Sequence, residues 1–310
     1  MDENAAGSGN RMSQFSTGSV WRESTPSFLV WLALGMTVVG LGTWATWMWS
    51  GDGAFVNLYL RQLAPLVTVG VCLIEVGLCW QAWRSFDEED AMRGAWLWLF
   101  LASVAHLAGR IMGAPGPGSL TVGPVTMNEI GRLVSGPLQM SLLFAGLVNI
   151  VQICRRMRIL RRLTLSDYAM LAVVIAFGVR TAYGIAAFVS GDQPVTFIRA
   201  MLWTTDPMLL ALVVMAILLH RSAAALGHGM LTNVWRSYVA GIFLTAVGSA
   251  SAWSFDGQTH VWTSLGWYVW FAADSAYALA PAFQLAAVQH ARNRARVFAA
   301  FGEAAFWRLP

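Results

Sequence analysis

The sequence predicts an all-α fold, a polytopic membrane bundle of eight transmembrane helices arranged as two parallel four-helix repeats. Three observations carry this expectation. Hydrophobic residues make up 57% of the 310 residues and charged residues only 12%, where soluble domains carry about 25% charge. The apolar residues fall in long continuous runs, each near the roughly 20 residues a spanning helix needs. The basic residues cluster between those runs instead of spreading along the chain. A transmembrane barrel is disfavoured, because its strands show alternation over about ten residues. Backbone groups in lipid must bond within their own segment, which favours helices.

The expected spans are Ser27 to Trp49, Gln62 to Trp83, Met92 to Met112, Leu133 to Cys154, Asp167 to Val189, Met201 to His220, Tyr238 to Phe255, and Trp262 to Val288. Residues 1–26 are polar, rich in Ser, Gly and Asn, and read as a disordered cytoplasmic tail; they do not resemble a cleaved signal peptide. Residues 27–162 form the first four-helix unit, 163–291 the second, and 292–310 a cytoplasmic C-terminal tail. The longest link, Gly113 to Arg132, is rich in Gly and Pro and reads as a structured cap or a re-entrant edge.

All twenty Lys/Arg positions are Arg, which fits a GC-rich bacterial genome. Arg155, Arg156, Arg158, Arg161 and Arg162 follow the fourth run, and Arg292, Arg294 and Arg296 follow the eighth. Arg84 with Arg93, and Arg221 with Arg236, flank the links after the second and sixth. The positive-inside rule then predicts a multi-pass protein of the bacterial inner membrane with both termini cytoplasmic. Arg61, Arg132 and Arg199 fall on the other side. The acidic run Asp87-Glu88-Glu89-Asp90 reads as a solvated loop. Trp80, Trp83, Trp96, Trp98 and Trp235 near inner ends, and Trp47, Trp49, Trp203, Trp253 and Trp262 near outer ends, read as interfacial belts. Trp267 and Trp270 lie deeper.

Two halves look alike. Ser50-Gly51-Asp52 matches Ser190-Gly191-Asp192, Arg61 matches Arg199, Pro65 matches Pro207, and Val151-Gln152 matches Val288-Gln289, at offsets of 137 to 142 residues. Four crossings per unit return the chain to its starting side, so the repeats are expected to be parallel. Gly35, Gly40, Gly42, Gly178 and Gly184 permit close helix approach. The stretch His106 to Met112, its Gly/Pro-rich link and Asn128-Glu129 resemble small four-helix membrane proteins of the DoxX-like type. The second unit departs from that pattern at Gly248 and Ala252, and the resemblance implies no settled activity.

Ionisable groups inside apolar segments mark candidate sites, because hydrocarbon penalises them unless they face a cavity or a partner. Glu75, His106, Arg110, Arg180, Asp206 and Asp274 are the candidates, for ligand binding or for ion pairing. Glu75 and Asp274 suit a cation or proton, Arg110 and Arg180 an anion. Asp206 precedes Pro207 and also suits a helix N-terminus. The favoured reading is an integral membrane protein that binds or transports a small solute through a polar cavity between two repeats. The alternatives are a non-catalytic accessory subunit of a larger membrane complex and a membrane sensor acting through a separate partner. The expected partners are the lipid bilayer and either a membrane protein or a second copy of the chain, with no nucleic acid.

No catalytic residues are expected: G-x-S-x-G, H-E-x-x-H and phosphate-loop motifs are missing. Retinal needs a lysine and there is none. Haem is disfavoured, because the five His give no pair at useful spacing on one helix. The cofactor is left unassigned. Cys72, Cys79 and Cys154 show no disulfide framework and no metal-ligand spacing, so no metal site is expected.

Overall fold

A computed structural model describes residues 26–49, 58–114, 116–123, 125–158, 164–189, 205–225, 230–254 and 260–306. Eight helices run through these residues: α1 Pro26–Met48, α2 Ala64–Arg84, α3 Ala91–Gly113, α4 Met127–Arg156, α5 Leu165–Val189, α6 Thr205–Ala225, α7 Met230–Ser254 and α8 His260–Phe306. A π-helical turn at Tyr59–Leu63 leads into α2, and another at Val134–Leu138, around Pro137, interrupts α4. Residues 1–25 of the predicted tail at 1–26 and the two Ser-Gly-Asp links lie outside the described residues, and Pro26 opens α1. Residues 292–306 of the expected C-terminal tail continue α8 as far as Phe306.

Local chemistry sets the helix starts near the site. Asp90 caps α3 by accepting from the Met92 amide at 2.8 Å, so this member of the acidic run is a cap. The link before α4 is a structured cap: a 3-10 turn at Pro117–Ser119, then the antiparallel pair β1 Thr121–Val122 and β2 Val125–Thr126. A reciprocal capping box follows, in which the Thr126 amide donates to Glu129 at 2.8 Å and the Glu129 amide donates to Thr126 at 3.2 Å. Glu129 is thus occupied at a helix end.

Packing joins α2 to α3 and α8, α3 to α4, α4 to α6, α6 to α7, and α7 to α8; α5 packs on α6 and α1 on α8. Trp96, Leu99, Leu147, Ile150, Leu209, Leu212, Val234, Tyr238 and Ile242 form the buried centre. At Gly109 the backbones of α3 and α4 nearly touch: an added Cβ would stand 2.6 Å from the Gly131 carbonyl oxygen and 2.7 Å from the Ser135 amide nitrogen. Only hydrogen fits there, which holds α3 at a fixed height one residue from Arg110.

The expected eight-span bundle needs correction. Among the described residues, three helices are long and apolar enough to cross a membrane: Ala64–Arg84, Ala91–Gly113 and Met127–Arg156. The apolar stretch of α6, Pro207–Ser222, falls short of a span. In α7 and α8 many of the described apolar residues are core: Val234, Trp235, Tyr238, Val239 and Ile242 of α7, and Phe271, Ala273, Tyr277 and Ala280 of α8, are buried. An apolar run satisfies a protein interior as well as it satisfies lipid, and periodicity alone does not separate the two. The two parallel four-crossing units therefore do not stand. The expected location changes with them, because the three helices that qualify among the described residues are an odd number and do not by themselves return the chain to its starting side. A multi-pass inner-membrane arrangement with both termini cytoplasmic is not supported. Apolar helices with exposed Leu66, Leu73, Leu101 and Val104 remain consistent with membrane association.

The Trp assignments divide. Trp80 and Trp98 are exposed enough to sit at an interface, whereas Trp96 and Trp235 are buried against Tyr238 with ring centroids 6.2 Å away in both cases. Those two belong to the core and not to a belt.

Candidate functional site

The site is assembled where α2, α3 and α8 meet. Cys72 and Glu75 stand three residues apart on α2, so they share one face. His106 and Arg110 stand four apart on α3 and also share a face. Asp274 comes from the buried side of α8. Cys72 is fully buried, Glu75 is 5% exposed, His106 3% and Asp274 2%, and Arg110 keeps 22% of its side chain accessible.

The His106 ring divides the site into two sides. Its Nδ1 lies 3.8 Å from Cys72 Sγ and 3.6 Å from Glu75 Oε2. Its Nε2 lies 3.5 Å from Asp274 Oδ1 and receives the Arg110 Nε–H at 3.2 Å. Arg110 closes the far side by donating from Nη2 to Asp274 Oδ2 at 3.2 Å, and its guanidinium lies 5.9 Å from the Trp267 ring centroid. Trp267, too deep for a belt, thus covers a cation. On the near side the contacts are ion-pair or van der Waals distances, longer than good hydrogen bonds. Glu75 Oε2 has no hydrogen-bond partner although it is buried. Buried carboxylate oxygens without a hydrogen bond are costly, and the contact to His106 Nδ1 at 3.6 Å is all that the described residues offer this atom.

Cys72, Glu75 and His106 together offer three ligand atoms that all lie within 4.8 Å of one another, and all three residues are buried. Bond lengths of about 2.0 Å to nitrogen and oxygen and about 2.3 Å to sulfur give tetrahedral edges of roughly 3.3–3.6 Å around a zinc ion. The Nδ1–Oε2 and Nδ1–Sγ separations of 3.6 and 3.8 Å are within a few tenths of an ångström of those edges. Asp274 then has the place of the carboxylate that orients a ligating histidine, accepting from the ring N–H opposite the metal.

The tautomer decides between two states of the ring. Arg110 Nε–H needs a lone pair on Nε2, whereas Asp274 needs a proton there. An ion at Nδ1 removes the choice, because the proton must then sit on Nε2 and face Asp274, and the Arg110 Nε–H contact to Nε2 at 3.2 Å must open. Arg110 keeps its separate contact to Asp274 Oδ2 in either case.

Of the six candidates read from the sequence, the structure brings Glu75, His106, Arg110 and Asp274 together. Arg180 lies half-buried on α5, which packs chiefly against α6. Asp206 lies in the first turn of α6, and its side chain is outside the described residues. Sequence reasoning missed Cys72, for which it expected no metal-ligand role. The available signal was Cys72-x-x-Glu75, two ligand types on one helical face opposite a polar pair on the next helix.

A polar cavity between two repeats is not what these residues form. Glu75, His106 and Asp274 pack directly on one another, with contacts of 3.5–3.6 Å and at most 5% exposure. The carrier reading, with its accessory-subunit and sensor alternatives, gives way to a packed core holding buried ion pairs, an aromatic cluster and a triad of ligand atoms. No protein-family model, no curated protein and no solved structure matches the chain, and the likeness to DoxX-like proteins gains no support from these comparisons.

Proposed function

We propose that the chain is a membrane-associated metal-binding protein whose ion is held by Cys72, Glu75 and His106 and oriented by Asp274. The observation that carries the reading is the buried triad on a shared Nδ1, in which Glu75 Oε2 makes no hydrogen bond and lies only at ion-pair distance from the ring. A set of one sulfur, one nitrogen and one oxygen suits a borderline ion such as Zn²⁺. Mg²⁺ and Ca²⁺ prefer oxygen ligands alone. Charge balance points the same way. A divalent ion with a Cys72 thiolate, two carboxylates, a neutral His106 ring and Arg110 leaves no net charge, which a buried site requires.

The ion ties α2 to α3, and through His106 and Asp274 it fixes α8. Its binding free energy adds to the free energy of folding, because the unfolded chain does not preform the site. Three protein ligands leave a fourth tetrahedral position, as in zinc sites that hold water or a further ligand. Elemental analysis of the full chain, purified in detergent without chelator, tests the reading. Stoichiometric zinc is expected in the wild type and a substoichiometric trace in Cys72→Ser. Equal metal in the two, or none in either, overturns it.

A further inference from the structure

At the turn joining α2 and α3 lies a cleft of about 570 Å³ whose lining includes Trp80, Trp83, Arg84, Asp87, Glu88 and Arg93. We propose that this cleft binds the headgroup of a phosphoethanolamine lipid. This proposal stands apart from the metal site and shares no residue with it.

The cleft presents both signs of charge at once. Arg84 and Arg93 offer guanidinium donors suited to a phosphate. Asp87 and Glu88 offer acceptors suited to an ammonium group. A purely anionic ligand would meet the carboxylates and a purely cationic one the arginines, so a zwitterion fits best. Arg93 Nη1 pairs with Glu88 Oε1 at 3.4 Å, but Glu88 is 90% exposed, and such surface pairs contribute little and exchange partners readily.

The aromatic floor selects the kind of ammonium. Trp80 and Trp83 have centroids 4.8 Å apart. Arg84 lies 5.6 Å from the Trp80 centroid and Arg93 lies 5.5 Å from that of Trp83. These cation–π positions are occupied, which removes the usual seat of a quaternary ammonium. A primary ammonium keeps three N–H donors for Asp87 and Glu88 instead.

Location favours a lipid over a dissolved zwitterion. Both helices that meet at this turn are apolar and long enough to cross a membrane, and a bilayer that they cross places their junction at headgroup depth, where Trp and Arg are favoured. Leu66, Leu73 and Trp80 follow one another at seven-residue steps on α2 and are 59%, 55% and 40% exposed. Fourteen helical residues rise about 21 Å, more than half of a hydrocarbon core of about 30 Å. An exposed apolar track for an acyl chain therefore leads directly into the cleft.

Native mass spectrometry of the full chain, released from nanodiscs holding equal amounts of phosphatidylethanolamine, phosphatidylcholine and phosphatidylglycerol, tests the proposal. Preferential retention of phosphatidylethanolamine by about tenfold is expected, the factor that one charge-assisted hydrogen bond supplies. Asp87→Asn with Glu88→Gln should abolish that preference while phosphatidylglycerol still binds. Arg84→Gln with Arg93→Gln should lower retention of all three lipids. The substituted residues lie at the surface, and helix content by circular dichroism checks that each variant folds. Equal retention of phosphatidylcholine and phosphatidylethanolamine by the wild type, or unchanged preference in the acidic-pair variant, overturns the proposal. Displacement of the lipid by an equal concentration of water-soluble phosphorylethanolamine overturns the lipid assignment, because the acyl track would then contribute nothing.

Discussion

A chain carrying His106→Gln is expected to fold yet gain no stability from zinc. His106 supplies Nδ1, the atom that both Cys72 and Glu75 approach, and a glutamine side chain cannot place a nitrogen lone pair there. It does retain polar atoms to face Asp274 and Arg110, so the ion-pair side of the site is only partly disrupted. For the wild type, free zinc at about 100 times its dissociation constant adds about 2.7 kcal/mol of stability. Thermal unfolding in detergent, after chelation and with or without added zinc, measures this. The wild-type transition should rise with zinc concentration and the variant's should stay level. A variant that responds to zinc like the wild type would remove His106 from the site.

The second large effect is expected from Asp274→Asn, which acts on the other side of the same ring. Asp274 accepts from Arg110 Nη2 at 3.2 Å and faces His106 Nε2 at 3.5 Å. Its loss leaves Arg110 beside a neutral amide. Breaking a buried pair by removing one partner costs about 3–5 kcal/mol, and the lower end applies here because Arg110 keeps some contact with water. Metal affinity should fall as well, by about 10- to 100-fold, the usual cost of removing a carboxylate behind a ligating histidine. Chemical denaturation of the chelated protein reads the first effect, and competition with a zinc-responsive dye reads the second. The two are separable, because the stability loss persists without metal. A variant with lowered stability but undiminished zinc affinity would make Asp274 a partner of Arg110 alone.

The all-α character was legible in the chain because long apolar runs without alternation leave helices as the only economical structure. The number of crossings was not. Tyr238, Ile242 and Phe271 are as apolar as residues that meet lipid, yet they are buried against other helices, and composition does not record which neighbour an apolar side chain meets. Four of the residues that converge at the candidate site stood out for a related reason. Glu75, His106, Arg110 and Asp274 interrupt apolar runs, and such residues need a partner wherever they are buried. Their pairing was hidden, because Asp274 lies 164 residues from Arg110 and no local spacing links α3 to α8. Cys72 was passed over for the opposite reason: a thiol in an apolar helix is ordinary core. Its position three residues before Glu75 takes on meaning only once α3 places an imidazole beside both. Arg180 and Asp206 shared the sequence criterion of charge in an apolar setting, but charge alone does not reveal which residues converge.

Cobalt substitution tests the metal centre most directly, because cobalt reports geometry and sulfur ligation in one spectrum. Co²⁺ added to the chelated full-length chain should give the intense visible bands of a tetrahedral ion together with a thiolate-to-cobalt charge-transfer band in the near ultraviolet. Cys72→Ser should lose the charge-transfer band. Weak octahedral bands without a thiolate transition, in a wild-type chain that is folded and saturated with cobalt, would contradict a site built on Cys72, Glu75 and His106.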